Sequence, residues 1–387
     1  MNVGRQKIAL GCYTDASHPN GLKMLELDEG SGAMSVIAEF SVSNALYQTF
    51  SPDGKYIYSC TGEGLASFLA EGLKPVDSIS LGSCVCHVAV MPDGKRVVFA
   101  DYLGGFAGSV EVADGRFGKA VKYQHSGCGP NLPRQDKAHC HEAVPLPDGS
   151  GYCVVDLGLD QIVEYPSGRV LRTLPSGAGP RHLLFHPNGH LAFLVYELGN
   201  LVSSLSWSPA DGFKIVDTHS TLVAFATGSL GVSENVASIS NLQDSQTPSS
   251  ESNLKPAKPL KNSQAAAIRF TPDMRGIVVS NRGENSLAVF DFDESTGKLA
   301  FKSRTMLKGD WPRDFIFVSP TLALVAMERS GEVHVLYYDV ATGDFKTIAT
   351  LGGLFRPVAL LCGPNREVEA DPLRYDDSLG LKKVSLK

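Results

Sequence analysis

Tyr47-Gln-Thr-Phe-Ser-Pro52-Asp-Gly-Lys-Tyr-Ile-Tyr58 returns further along the chain as His87-Val-Ala-Val-Met-Pro92-Asp-Gly-Lys-Arg-Val-Val-Phe99. In each, a short apolar run meets a Pro-Asp-Gly turn and a second apolar run follows. Proline fixes φ, aspartate caps the turn and glycine takes the left-handed position, so the unit is a tight antiparallel hairpin. It recurs around Pro147-Asp-Gly, Pro187-Asn-Gly, Pro272-Asp-Met-Arg and, more weakly, Pro320. Most intervals between these prolines, at about 40 to 48 residues, suit one four-stranded propeller blade.

Six such units leave two ends unexplained. Ile8–Tyr13, Leu22–Leu27 and Met34–Ile37 read as three strands with no inner strand before them. Arg356-Pro-Val-Ala-Leu-Leu-Cys362 reads as an inner strand with no blade after it. Joined, the ends complete a seventh blade and remove the free sheet edges of an open array. A sandwich or solenoid with similar turns leaves these complementary ends without a role. The expected fold is therefore an all-β, seven-bladed β-propeller over residues 1–365, with a tail at 366–387. Residues 217–263, crowded with Ser, Asn, Pro and Lys, break the pattern and read as a mobile insertion between blades.

Composition narrows the function. The 387 residues are 43% hydrophobic, with a net charge of -6 spread along the chain. Without a basic cluster, nucleic acid and anionic membrane are poor partners. No apolar run approaches the ~20 residues of a membrane helix. The first residues lack a signal-peptide core, so a cytoplasmic location is expected. Eight cysteines, mostly set singly in apolar runs, are expected as reduced thiols. Cys84-Val85-Cys86-His87 has half of a zinc-site spacing, but no second pair matches it, and neither metal nor cofactor is expected. A closed ring without sheet edges also makes a monomer the expected state.

Counting from the turn prolines places the chemistry. Six residues before them stand Leu46, Cys86, His141, Arg181 and Ala266, with Arg313 joining if one extra residue is allowed. Ten residues after them stand Gly62, Tyr102, Leu157, Glu197 and Arg282. Both positions fall on one propeller face near the central channel. His141, Arg181, Glu197, Arg282 and Arg313 should thus ring one mouth, with His87, His139, His182, Asp156, Asn281 and Asp314 beside them. A lone charge at a strand end is usually solvated. Repeated arginines held in one funnel instead call for an anionic partner.

At these positions the chain resembles the seven-bladed β-propeller lactonase family, whose members include bacterial-type 6-phosphogluconolactonase and carboxy-cis,cis-muconate cyclase. The resemblance is carried by Ala100–Gly105, His125–Asn131, Arg134–His141, Asp156–Asp160, Gly179–His182, Ser280–Gly283 and Trp311–Phe315. It implies an active site at His141 (or its neighbour His139), Arg181, Glu197 and Arg282. Three positions depart from the family pattern: Ala267 replaces an acidic residue, Tyr196 precedes Glu197 in place of Asn, and Asp101 stands for Asn.

The activity implied is metal-independent hydrolysis of a sugar-acid lactone, foremost 6-phosphogluconolactone in the pentose phosphate pathway. Glu197 or His141 would be the general base, and Arg282 and Arg313 would hold a phosphate or carboxylate. Against a base role, Glu197 could instead be a structural ion pair with Arg181 or Arg282. A muconate-type lactonising reaction would use the same groups on a small carboxylate. A non-catalytic binding propeller would instead show an apolar or mixed mouth. Glu197, Asn281 and Asp156 imitate a divalent-ion set, although neighbouring arginines would repel a cation.

Overall fold

The computed structural model describes residues 4–222 and 263–363. Its strands form seven antiparallel sheets of four strands each. Blade 1 combines the inner strand Pro357–Cys362 with Arg5–Cys12, Leu22–Asp28 and Met34–Phe40. The inner strands of blades 2 to 7 are Gln48–Phe50, His87–Val90, Cys140–Pro145, Pro180–Phe185, Gln264–Phe270 and Pro312–Ser319. Among the described residues the one helical element is a short 3-10 turn, Glu71–Leu73.

The turns form as their chemistry dictates. Asp53, Asp93, Asp148, Asn188 and Asp273 each accept the backbone N–H two residues on. Gly54 sits at φ 71°, and Met274, which takes the glycine's place in blade 6, is forced to φ 59°. The ring closes where Leu10 pairs with Leu360 and Ile8 with Cys362. Gln6 Nε2 then donates to the Val318 carbonyl of blade 7 at 2.8 Å.

The core lies between blades. Phe185, Trp207 and Phe213 of blade 5 pack on Val155 and Ile162 of blade 4. Ile8, Leu10 and Leu360 of blade 1 pack on Leu324 and Val335 of blade 7. Each fully buried side chain of this size contributes roughly 1.5–3 kcal/mol, so the blades hold one another.

Part of the segment expected as an insertion is blade strand. Residues 217–220 belong to the outer strand Gly212–Ser220 of blade 5, where Asp217 pairs with Ser204. The rest of the proposed insertion, 223–262, and the tail at 366–387 lie outside the described residues. All eight cysteines are free thiols. No described helix is long and apolar enough to cross a membrane.

Candidate active site

The mouth is built on Glu197, which follows the second strand of blade 5, Leu191–Tyr196. Its backbone N–H donates to the Gly179 carbonyl, just before the inner strand, and so fixes the side chain over the channel. Three arginines converge on its carboxylate. Arg282 Nη2 lies 2.7 Å from Oε2, Arg181 Nε 3.1 Å from Oε2, and Arg134 Nη2 2.5 Å from Oε1. His141 Nε2 stands farther off, 3.9 Å from Oε2.

Blade 6 braces the cluster. Arg181 donates to the Ala266 carbonyl at 2.8 Å and Arg282 to that of Ala265 at 3.1 Å. The run Gln264-Ala-Ala-Ala-Ile268 puts no bulky group where Arg181 crosses from blade 5. Arg282 also lies over the Trp311 ring, 5.5 Å from its centroid.

Electrostatics follow from burial and count. Burial pushes the Glu197 carboxyl upward, but Arg282, Arg134 and Arg181 outweigh it and hold the group well below the ordinary carboxylate range. Burial first, then Arg181, holds His141 well below its ordinary value, so its imidazole is neutral at pH 7. Three guanidiniums facing one carboxylate leave the site positive, which suits an anion or a developing oxyanion.

The two candidate histidines differ in their partners. Both ring nitrogens of His139 are used, Nδ1 on the Tyr102 carbonyl at 2.8 Å and Nε2 on Asp136 at 2.9 Å. His141 Nδ1 is buried and has no hydrogen-bond partner among the described residues. His141 also borders a cavity of about 10 Å³, shared with Arg181, His182 and Arg313. That volume holds roughly one water.

Arg313 sits slightly apart, paired with Glu328 at 3.1 Å. His87 and His182 line the channel beneath the mouth, with His87 Nε2 3.5 Å from Glu142. A cavity of about 420 Å³ continues from this layer towards the turn side, away from Glu197. Asp314 accepts from Arg269 and from the Leu360 N–H, and so ties blade 7 to blade 1. Glu142 makes the equivalent tie to the Leu183 N–H of blade 5. Ala267 stands at the matching point of blade 6 and packs against Phe315. With a methyl side chain, Ala267 makes no such polar tie to the next blade.

Two residues expected beside the substrate have partners within the fold. Asp156 is wholly buried and accepts from His125 and from the His139 and Leu159 N–H groups. Asn281 is wholly buried and donates to Thr221 and Ser286. Asp156 ends the second strand of blade 4, and Asn281 is the last residue but one of the second strand of blade 6. Both bond across the following turn, as Asp101 does by accepting from Gly104. The divalent-ion set built on them therefore does not face the mouth. Another described cluster that could share an ion is His125, Cys140 and Asp156. There, His125 Nδ1 and Asp156 are hydrogen-bonded at 2.7 Å and His125 Nε2 pairs with the Tyr165 hydroxyl.

The proline count missed Arg134, Glu328 and Arg356. Arg134 comes from the loop between blades 3 and 4, outside the repeat register. Blade 7 has a shortened Ser319-Pro-Thr-Leu322 turn, which moves Glu328 away from the expected spacing.

The sequence model of the seven-bladed β-propeller lactonases matches residues 7–358. The chain belongs to this lactonase family. A 6-phosphogluconolactonase of Bacillus subtilis is 31% identical over 72% of this chain and 73% of its own length. A protein from Lactobacillus plantarum superposes with a TM-score of 0.77 at 26% identity, over 93% of this chain and 99% of that one. The periplasmic gluconolactonase of Pseudomonas aeruginosa shares the fold with a TM-score of 0.77 at 23% identity, over 93% of this chain and 99% of that one. Within this lactonase family, the present chain presents its arginine cluster at the mouth of the propeller.

Proposed function

We propose that the chain hydrolyses a sugar-acid lactone, 6-phosphogluconolactone foremost, without a metal ion. The observation that carries this reading is the convergence of Arg134, Arg181 and Arg282 on the single carboxylate of Glu197. That arrangement leaves positive charge where a lactone carbonyl would gain negative charge.

His141 is the general base in this reading. Its Nε2 side faces Glu197, which favours the proton on Nε2 and leaves the Nδ1 lone pair to take a proton from water. Glu197 is a poorer base, because both its oxygens are held by arginines. Water adds to the lactone carbonyl as His141 accepts its proton, and Arg181 or Arg282 stabilises the oxyanion. Collapse breaks the ring C–O bond, and the departing oxygen takes the proton back from His141. One water is consumed and the hydroxy acid leaves.

The test is hydrolysis of freshly prepared 6-phosphogluconolactone, with and without EDTA, by wild type, Glu197→Gln and Arg282→Ala. Wild-type turnover that survives chelation, with large losses in both variants, supports the reading. A wild-type rate no greater than spontaneous hydrolysis overturns this substrate and favours a muconate-type or binding role.

A further inference from the structure

Blades 5 and 7 contain the same device. Glu197 donates its N–H to the carbonyl of Gly179, and Glu328 donates its N–H to that of Trp311. Each glutamate is then flanked by an arginine from its own inner strand, Arg181 at 3.1 Å and Arg313 at 3.1 Å. Each also receives an arginine from the next blade. Glu197 has Arg282 of blade 6 at 2.7 Å, and Glu328 has Arg356, at the start of blade 1, at 2.5 Å. Tyr13, whose N–H donates to the Arg356 carbonyl, occupies the matching place in blade 1. Its ring lies beneath both guanidiniums, 5.3 Å from Arg313 and 4.0 Å from Arg356.

The backbone around this second cradle is unusual. Gly179, Trp311 and Arg356 each precede the proline that opens an inner strand, and all three have positive φ. A residue before proline favours extended conformations, and left-handed backbone is strained for a non-glycine residue. Blade 5 meets this requirement with glycine. Blades 7 and 1 instead hold Trp311 at φ 73° and Arg356 at φ 43°. Backbone strain gathered at one mouth points to a binding role rather than to folding alone.

We propose that Arg313 and Arg356, set by Glu328 and Tyr13, form a second anion subsite that takes the phosphoryl group of the lactone. This inference rests on the lactonase reading. The Glu197 cluster acts at the lactone carbonyl, and the Glu328 cradle holds the far end of the same substrate. Arg313 joins the two, because it lines the small cavity also bordered by His141 and Arg181. Arg356, with its side chain 47% exposed, keeps donors open to the mouth. Two guanidiniums against one carboxylate retain a positive charge for a phosphate dianion.

The deciding variant is Arg356→Asn, since asparagine accepts left-handed backbone and so spares the fold. The preference for 6-phosphogluconolactone over glucono-1,5-lactone, measured as the ratio of kcat/KM values, is expected to fall at least tenfold. Calorimetric binding of 6-phosphogluconate and gluconate gives a readout that needs no turnover, and the same loss of preference is expected there. An unchanged preference in both assays overturns the subsite, as does equal wild-type affinity for the two acids. If neither lactone is hydrolysed but Arg356→Asn still erases the preference for 6-phosphogluconate, the subsite stands and the lactonase reading falls. Arg313→Gln, checked for folding by its melting temperature, provides an independent second variant with the same expected direction.

Discussion

Arg181 lies 3.1 Å from Glu197 at a point where the arginine is 3% exposed and the glutamate 1%. Their attraction is little screened by solvent, and Arg134 and Arg282 share the same carboxylate. Glu197 therefore holds the cluster together as well as shaping its field.

Glu197→Gln is expected to do two things at once. It leaves three guanidiniums without their common counter-ion, and breaking a buried ion pair costs about 3–5 kcal/mol. The melting temperature should fall by several degrees, and kcat should drop about a hundredfold or more because the oxyanion site is no longer set. Paired thermal unfolding and lactone hydrolysis measure both. A variant of wild-type stability and rate would remove Glu197 from the centre of the site.

His141→Asn tests the general base separately. Loss of the base is expected to lower kcat by about 10²–10⁴-fold while KM changes little. The pH profile carries an independent signature. With the His141 pKa held well below 6.5, the wild-type rate above background should stay level from pH 8 down through 6.5 and fall only in more acidic buffer. A midpoint near 7 would contradict the assignment.

Salt dependence reports the charged mouth. Five arginines there face two carboxylates, those of Glu197 and Glu328. Raising ionic strength from 0.01 to 0.15 M shortens the screening length from about 30 Å to about 8 Å. The kcat/KM for a phosphorylated lactone should fall by roughly tenfold, while that for an uncharged lactone stays nearly level. Equal salt responses for the two substrates would exclude electrostatic steering.

Glu142 links stability to pH. Burial, opposed by the Leu183 N–H and two arginines, raises its carboxyl from 4.5 to about 8. The folded state thus binds a proton that the unfolded chain has released between these values. Stability contributed by the protonated acid is complete below pH 4.5 and is lost as pH rises to about 8. His87, lowered from 6.5 to about 3 mainly by burial, acts in the opposite sense and adds no change above 6.5. The melting temperature should therefore decline between pH 6.5 and 8, and Glu142→Gln should flatten that decline and melt several degrees higher at pH 8. Parallel wild-type and variant curves would show that Glu142 is already ionised.

The sequence alone determined the blade count, the closure by both chain ends, and the positions of Arg181, Glu197 and Arg282. These follow from covalent spacing, because each turn proline fixes how many residues separate it from the channel mouth. Tertiary structure decided which charges meet. Arg134 arrives on a loop with no repeat, Glu328 is displaced by a shortened turn, and Arg356 enters from the strand that closes the ring. It also engaged both ring nitrogens of His139, left His141 Nδ1 without a partner among the described residues, and turned Asp156 and Asn281 inward. Hydrogen-bond partners of side chains in different blades depend on packing through space, and no interval along the chain encodes that directly.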